Sequence, residues 1–172
     1  MTSVRYPFEP KSTAFLEPGQ FWGVPLSDGR FACGRVLAVP RAPDPFIPVS
    51  SRIFLAGLHN WVGDAPPTAD DIAGAELLAQ GFIHILAIRK HGGSLLGLRP
   101  LEADDIVPDR WLSHGGGGTV WVYEGATRLH PGTASDADLP IVSMWGYSVI
   151  SVIAEHVLVD GKELSSQGAN AS

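Results

Sequence analysis

The reading of this chain turns on Glu17-Pro18-Gly19-Gln20-Phe21-Trp22-Gly23-Val24-Pro25-Leu26-Ser27-Asp28-Gly29-Arg30-Phe31-Ala32-Cys33-Gly34-Arg35-Val36-Leu37. Two apolar runs flank Ser27-Asp28-Gly29-Arg30. Asp-Gly between apolar runs is a strong hairpin signal, because a type I′ turn needs positive φ at both central residues. With Asp28-Gly29 as a two-residue turn, Leu26 faces Phe31, Val24 faces Cys33, Gly23 faces Gly34 and Trp22 faces Arg35. That register places Trp22, Val24, Leu26, Phe31, Cys33 and Leu37 on one face, the expected core side. Phe21, Gly23, Pro25, Ala32, Gly34 and Val36 fall on the other. It also lets Trp22 stack on Arg35 as a cation–π pair. Pro25 cannot donate to a ladder, so the first strand is expected to be an edge at that point.

The rest of the chain follows outward from this hairpin. Residues 1–16 read as an extended arm interrupted by Pro7 and Pro10, with Tyr6, Phe8, Phe15 and Leu16 available to dock on a core. Pro40, Pro43, Pro45 and Pro48 make an extended connection. Residues 52–61 read as a third strand. Thr68 as N-cap, Asp70 and Asp71 in a first turn and Gly81 as a stop predict a helix between them. Phe82–Arg89 is apolar on both alternations, which predicts a central strand covered on both faces. Gly92-Gly93 then turns into a further strand at 94–98, expected to fold back on the preceding one as the next hairpin. Gly115–Gly118 reads as a flexible tether and Val120–Tyr123 as another strand. In 147–158 the spacing of Val149, Ile150, Ile153 and Val157 fits a helix while the β-branched content favours a strand; we take it as a helix. Residues 164–172 have the composition of a loose tail. The fold class expected is mainly β (α+β). It would be one domain over 1–172, a curved antiparallel sheet of about six strands able to close toward a barrel, with one or two packed helices.

Composition bounds the function. The 172 residues are 45% apolar, and no apolar run is long enough to span a membrane. The start of the chain lacks the apolar stretch of a signal peptide. The single Cys33 excludes an internal disulfide and a cysteine metal cluster. The expected setting is the cytoplasm, with no membrane partner. Formal net charge is −6. Residues 1–52 hold six basic and four acidic groups, so the remainder holds six basic and fourteen acidic. Phosphate binding is driven by cations, so nucleic acid is disfavoured and a basic protein is the better match.

The residue types that carry chemistry stand in no catalytic or ligand pattern. His59, His84, His91, His114, His130 and His156 show no spacing that pairs two on one face as metal ligands, and His84 reads as a core histidine. The Gly115–Gly118 run lacks the lysine and helix of a phosphate loop. Gly92-Gly93-Ser94-Leu95 fails the nucleophile-elbow pattern at Leu96. Asp70/Asp71 and Asp104/Asp105 are paired carboxylates in polar segments, not a buried acid/base pair. No catalytic residue, cofactor or metal is expected.

Gly19, Phe21, Pro25, Leu26, Gly29, Gly34, Arg35 and Val36 form a pattern that resembles the opening of the immunity protein 26 family, and Trp145-Gly146-Tyr147 adds to the likeness. The resemblance implies a mostly β cytoplasmic antidote without catalytic residues, encoded beside a secreted bacterial polymorphic toxin. It implies binding to a cognate toxin, with a nuclease among the candidates, by covering its active site. A weaker resemblance is to the SH3-like barrels of PemK/MazF-type endoribonucleases. Their second strand carries an Arg-Pro-Val-Val run where this chain has Gly34-Arg35-Val36-Leu37. A non-catalytic β-domain of regulatory or structural role is the third reading. For a toxin-binding protein, the residues expected to pair with basic groups of the partner are Asp70, Asp71, Glu76, Glu102, Asp104 and Asp105. Monomer and dimer stay open.

Overall fold

The computed structural model describes residues 4–47, 49–113 and 118–164. The fold is mainly β. A six-stranded sheet is built from β1 (Gln20–Pro25), β2 (Phe31–Ala38), β3 (Ile53–Gly63), β4 (Leu77–His84), β5 (Leu95–Leu98) and a late strand, β9 (Met144–Gly146). Its order is β5-β1-β2-β3-β4-β9, antiparallel throughout except for the β4–β9 pair, and it does not close into a barrel. A second, three-stranded antiparallel sheet holds β6 (Arg110–Leu112), β7 (Trp121–Glu124) and β8 (Thr127–Pro131). One α-helix, α1 (Val149–Ala154), continues as a π-helical turn over Glu155–Val159. Helix is thus the conformation of the ambiguous late segment.

The β1–β2 hairpin forms with Asp28-Gly29 at its tip, but its register corrects the expected one. The partners are Phe21↔Arg35, Trp22↔Gly34, Gly23↔Cys33, Val24↔Ala32 and Pro25↔Phe31. Gly29 N–H donates to Leu26 O at 3.1 Å, and Leu26 N–H to Arg30 O at 2.9 Å. With Gly29 at φ +88°, this is a three-residue loop ending in a left-handed glycine, not a two-residue I′ turn. The extra residue slips the register by one, and a one-residue slip moves a strand's side chains to the opposite faces. Trp22, Val24 and Leu26 therefore share their face with Ala32 and Val36, while Phe21 sits with Cys33. Gly34 lies beneath the Trp22 ring, where a Cβ would overlap it. Trp22 meets Phe54 edge-on at 5.9 Å, so the Trp22–Arg35 stack does not form.

Both faces of the large sheet are buried, which is why apolar alternation alone did not separate them. One face carries Trp22, Val24, Phe54, Leu58 and Ile83 under α1, Trp145 and the π-helical turn Ala87–Gly92. The other carries Leu37, Leu55 and Phe82 against Trp111 and Tyr123 of the small sheet. Trp111 stacks on Tyr123 at 4.3 Å, and Phe82 meets Trp111 edge-on at 6.1 Å. The N-terminal arm closes the far edge: Phe8 and Leu95 exchange backbone hydrogen bonds of 3.1 and 2.9 Å, and Leu16 is buried. Phe15 stays exposed. β5 pairs with β1 only over Gln20–Trp22, so β1 is unpaired on that side at Pro25.

Three further expectations are corrected. No helix forms between Thr68 and Gly81. Thr68 and Asp71 do form the capping contacts, with Thr68 Oγ1 donating to Asp71 Oδ2 at 2.7 Å and Asp71 N–H donating to Thr68 Oγ1 at 3.3 Å. The turn ends at Gly74, φ +70°, and Leu77 onward pairs with β3, so sheet pairing outweighs the local capping signal. Gly81 is a strand residue under the Trp145 indole, where no Cβ fits. The strand expected over Phe82–Arg89 lies inside the sheet but ends at His84, and the chain then winds through the π-helical turn. The strand after Gly92-Gly93 pairs with β1 and not with its chain neighbour β4. The Gly115–Gly118 tether falls mainly, and the 164–172 tail almost entirely, outside the described residues.

Candidate functional site

The polar centre of the molecule is Arg35. The corrected register points it off β2 into the loop after β5, where it is fully buried. Its Nη1 donates to Asp104 Oδ2 at 2.8 Å, and its Nη2 donates to Pro100 O at 3.1 Å and to Arg99 O. Asp104, 1% exposed, closes the 3₁₀ turn Leu101–Asp104 and takes further bonds from Arg99 Nε and Gly74 N–H, each 2.9 Å. Asp104 pays a desolvation penalty that the Arg99, Gly74 and Arg35 donors more than offset, so its carboxyl is held well below the usual carboxylate range.

His59, on β3, completes the cluster. Nδ1 lies 3.0 Å from Ala75 O, which fixes it as the donor, and leaves Nε2 as acceptor 3.4 Å from Arg35 Nη1. Burial, then the Arg35 charge, push the imidazole down to about 4, so it is neutral at pH 7. Four separate segments — β2, β3, the 69–76 turn and the 99–105 loop — are thus tied to one buried ion pair.

That tie presents an acidic surface. Glu76, Asp104 and Asp105 line a shallow groove of about 300 Å³, along with Asp109, Gly74 and Leu77–Gln80. Glu76, Asp105 and Asp109 are exposed; Asp104 forms the buried floor. Asp105 projects from the only non-glycine residue at positive φ among those described, +52°. Glu102 is exposed on the same 3₁₀ turn. Asp70 and Asp71 are exposed on the 69–74 turn outside the groove lining, with Asp71 held by Thr68. Of the six carboxylates singled out in the sequence, three share the groove and five are at the surface. Asp104 is committed to Arg35 and Arg99 and is not a surface charge. Asp109 reads in the sequence as part of an acidic loop with Glu102, Asp104 and Asp105, though not as a contact residue; the His59–Arg35 contact gave no recognisable sequence signal, because long-range pairing creates it.

The eight residues of the sequence pattern build the scaffold of this site. Gly19, φ +97°, lets the backbone pass close to Arg99, whose N–H donates to Gly19 O at 3.0 Å. Phe21, Leu26 and Val36 are core residues, Pro25 and Gly29 shape the hairpin end, Gly34 seats Trp22, and Arg35 anchors the acidic loop. Burial also pushes the Cys33 thiol up, which makes it inert. His84 is partly buried and accepts a 3.1 Å bond from Leu86 N–H. Among the described residues no three His, Cys, Asp or Glu side chains could hold a metal ion.

A second groove, of about 440 Å³, adjoins the first, since Leu78–Gln80 and Asp109 line both, and is more apolar, with Trp111, Ile141, Val142 and Ile153 in its walls. None of the described helices is long and apolar enough to cross a membrane.

Comparison with known proteins adds one finding. No curated protein and no solved structure matches the chain. A family model described as Immunity protein 26 matches residues 17–119, well over half of the 172, and this span contains β1 to β6 with Arg35, His59 and Asp104. The chain belongs to the immunity protein 26 family.

Proposed function

We propose that this chain is a cytoplasmic, non-catalytic immunity protein that binds a cognate toxin and blocks it by laying the acidic surface over the toxin's basic substrate-holding site. Membership of the family supports the immunity role. The observation that carries the mode of action is the exposed group Glu76, Asp105 and Asp109 around one groove, with Glu102 exposed on the adjoining 3₁₀ turn that the buried Arg35–Asp104 pair holds. Complementary charge steers encounter and rejects wrong partners, and a toxin that grips a phosphate backbone offers the required arginines and lysines. Arg35 speaks against the PemK/MazF-type reading: its guanidinium is buried and both Nη groups are taken by Asp104 and the Arg99 and Pro100 carbonyls, so it is not placed to touch an RNA.

The test is co-expression with the toxin encoded beside the gene. Cells making both proteins should grow, and the two should co-purify as a complex. Cells that die despite folded, soluble immunity chain would contradict the reading. Purified chain that cleaves RNA by itself, with the cleavage lost in Arg35→Ala, would replace it with the endoribonuclease reading.

A further inference from the structure

The edge of β4 next to the acidic groove is open. β9 pairs with β4 only at Phe82 and Ile83. Upstream of Ser143 the chain leaves β4 and crosses to the small sheet, where Ile141 bridges Leu112 and Leu112 N–H donates to Pro140 O at 2.8 Å. The two grooves described above lie in the wedge this crossing opens.

Strand parity shows which backbone groups face the wedge. Phe82 N–H donates to Ser143 O at 2.9 Å, so Phe82 points away from β3. Gln80, two residues earlier and in the same register with β3, points the same way. Below the bulge between Leu58 and His59, Glu76 O accepts from Asn60 N–H at 2.8 Å, which turns Leu77 outward as well. The amides and carbonyls of Leu77 and Gln80 have no hydrogen-bond partner among the described residues. An unpaired edge of this kind is a template for an added strand.

We infer that an extended segment of the toxin docks here as an additional strand on Leu77–Gln80. The surroundings specify its chemistry. Glu76 and Asp105, in the groove that runs along Leu77–Gln80, select lysine or arginine, and the adjoining trough of Trp111, Ile141, Val142 and Ile153, reached at Leu78–Gln80, selects an apolar side chain. A short extended segment carrying a basic and an apolar residue satisfies both at once. This inference rests on the immunity reading and adds the place and mode of contact.

Hydrogen exchange measured by mass spectrometry, with and without the co-purified toxin, tests it. Peptides covering Leu77–Gln80 should exchange at least about tenfold more slowly in the complex, since each outward amide gains a partner. The paired segment of β3 should be unchanged. A complex in which 77–80 exchanges as fast as in the free chain overturns the strand addition while leaving the immunity reading standing. No complex at all overturns both. Protection that appears in the free chain on raising its own concentration, with a matching rise in mass by light scattering, would assign the edge to a second copy and also overturns it. As a second arm, Gln80→Pro removes one outward N–H without touching the β3 ladder, and is compared with Gln80→Ala, which shares only its loss of the Oε1 that accepts from Asp109 N–H at 2.9 Å and should bind as the parent chain does. With its urea midpoint unchanged, the proline variant should bind about tenfold more weakly. Unchanged affinity in a folded Gln80→Pro variant counts against the added strand.

Discussion

Replacing Asp104 by asparagine keeps the shape of the side chain and removes its charge, and should be among the most damaging single changes in the molecule. The carboxylate accepts from Arg35 Nη1, from Arg99 and from Gly74 N–H, and is 1% exposed. Breaking a buried ion pair from one side costs about 3–5 kcal/mol, because the remaining charge is stranded. Arg99 is 22% exposed and can recover water; Arg35 is fully buried and cannot. Only one of the two guanidinium groups is therefore stranded, which puts the expected loss near the lower end, at about 3 kcal/mol. With a urea slope of about 2 kcal/mol/M, the midpoint should fall by about 1.5 M. Tryptophan fluorescence in a urea titration measures it. The neighbour Asp105→Asn is the control: that side chain is exposed and asparagine tolerates its left-handed backbone, so the midpoint should move by less than about 0.5 kcal/mol equivalent. Replacing both partners, Arg35→Met with Asp104→Leu, should recover much of the loss, since no buried charge is then left alone. Asp104→Asn with an unchanged midpoint would refute the buried pair as the anchor of the acidic loop.

Acid should unfold the chain in two stages. His59 is depressed to about 4 from 6.5, so the unfolded state takes up a proton first, and roughly 3 kcal/mol of stability should be lost between pH 6.5 and 4. The depressed Asp104 contributes stability that is present above the ordinary carboxylate value and lost only as pH falls below it. Urea midpoints across this range check both, and His59→Gln should flatten the upper stage. Gly34→Ala drives a methyl into the Trp22 ring and should cost about 1–3 kcal/mol, read by thermal denaturation; an unchanged melting temperature would place Trp22 elsewhere. Trp22→Ala empties a fully buried site and should cost about 3–5 kcal/mol in the same assay.

What the sequence made legible was local. Asp28-Gly29 fixed the hairpin tip, and the apolar run at Phe82 placed that strand inside a sheet, because turn chemistry and doubly buried strands leave strong patterns. The register was not legible. A two-residue and a three-residue loop share the same Asp-Gly signal, and with both faces buried neither register exposes an apolar residue to betray the error. The capping residues Thr68 and Asp71 truly cap a turn, but a cap says where a helix could start, not that β3 competes for Leu77–His84. At the site, the surface carboxylates of the 69–76 and 99–105 segments were legible as charge in polar stretches. The burial of Asp104 was not, since its partner Arg35 is 69 residues away and reaches it only through the slipped register. The open edge of β4 depends on where β9 stops pairing, which no local pattern encodes.

The proposed capture of a toxin through the acidic surface is tested most directly by the association rate as salt is varied. Stopped-flow association of the purified chain with the proposed cognate toxin should be fast at low salt and slow steeply as the Debye length shortens to about 8 Å at physiological ionic strength. Neutralising Glu76, Glu102 and Asp105 together, as glutamine, glutamine and asparagine, should slow association and flatten that dependence with the urea midpoint unmoved. Association that stays equally fast and equally salt-sensitive in this variant would contradict capture through the acidic surface.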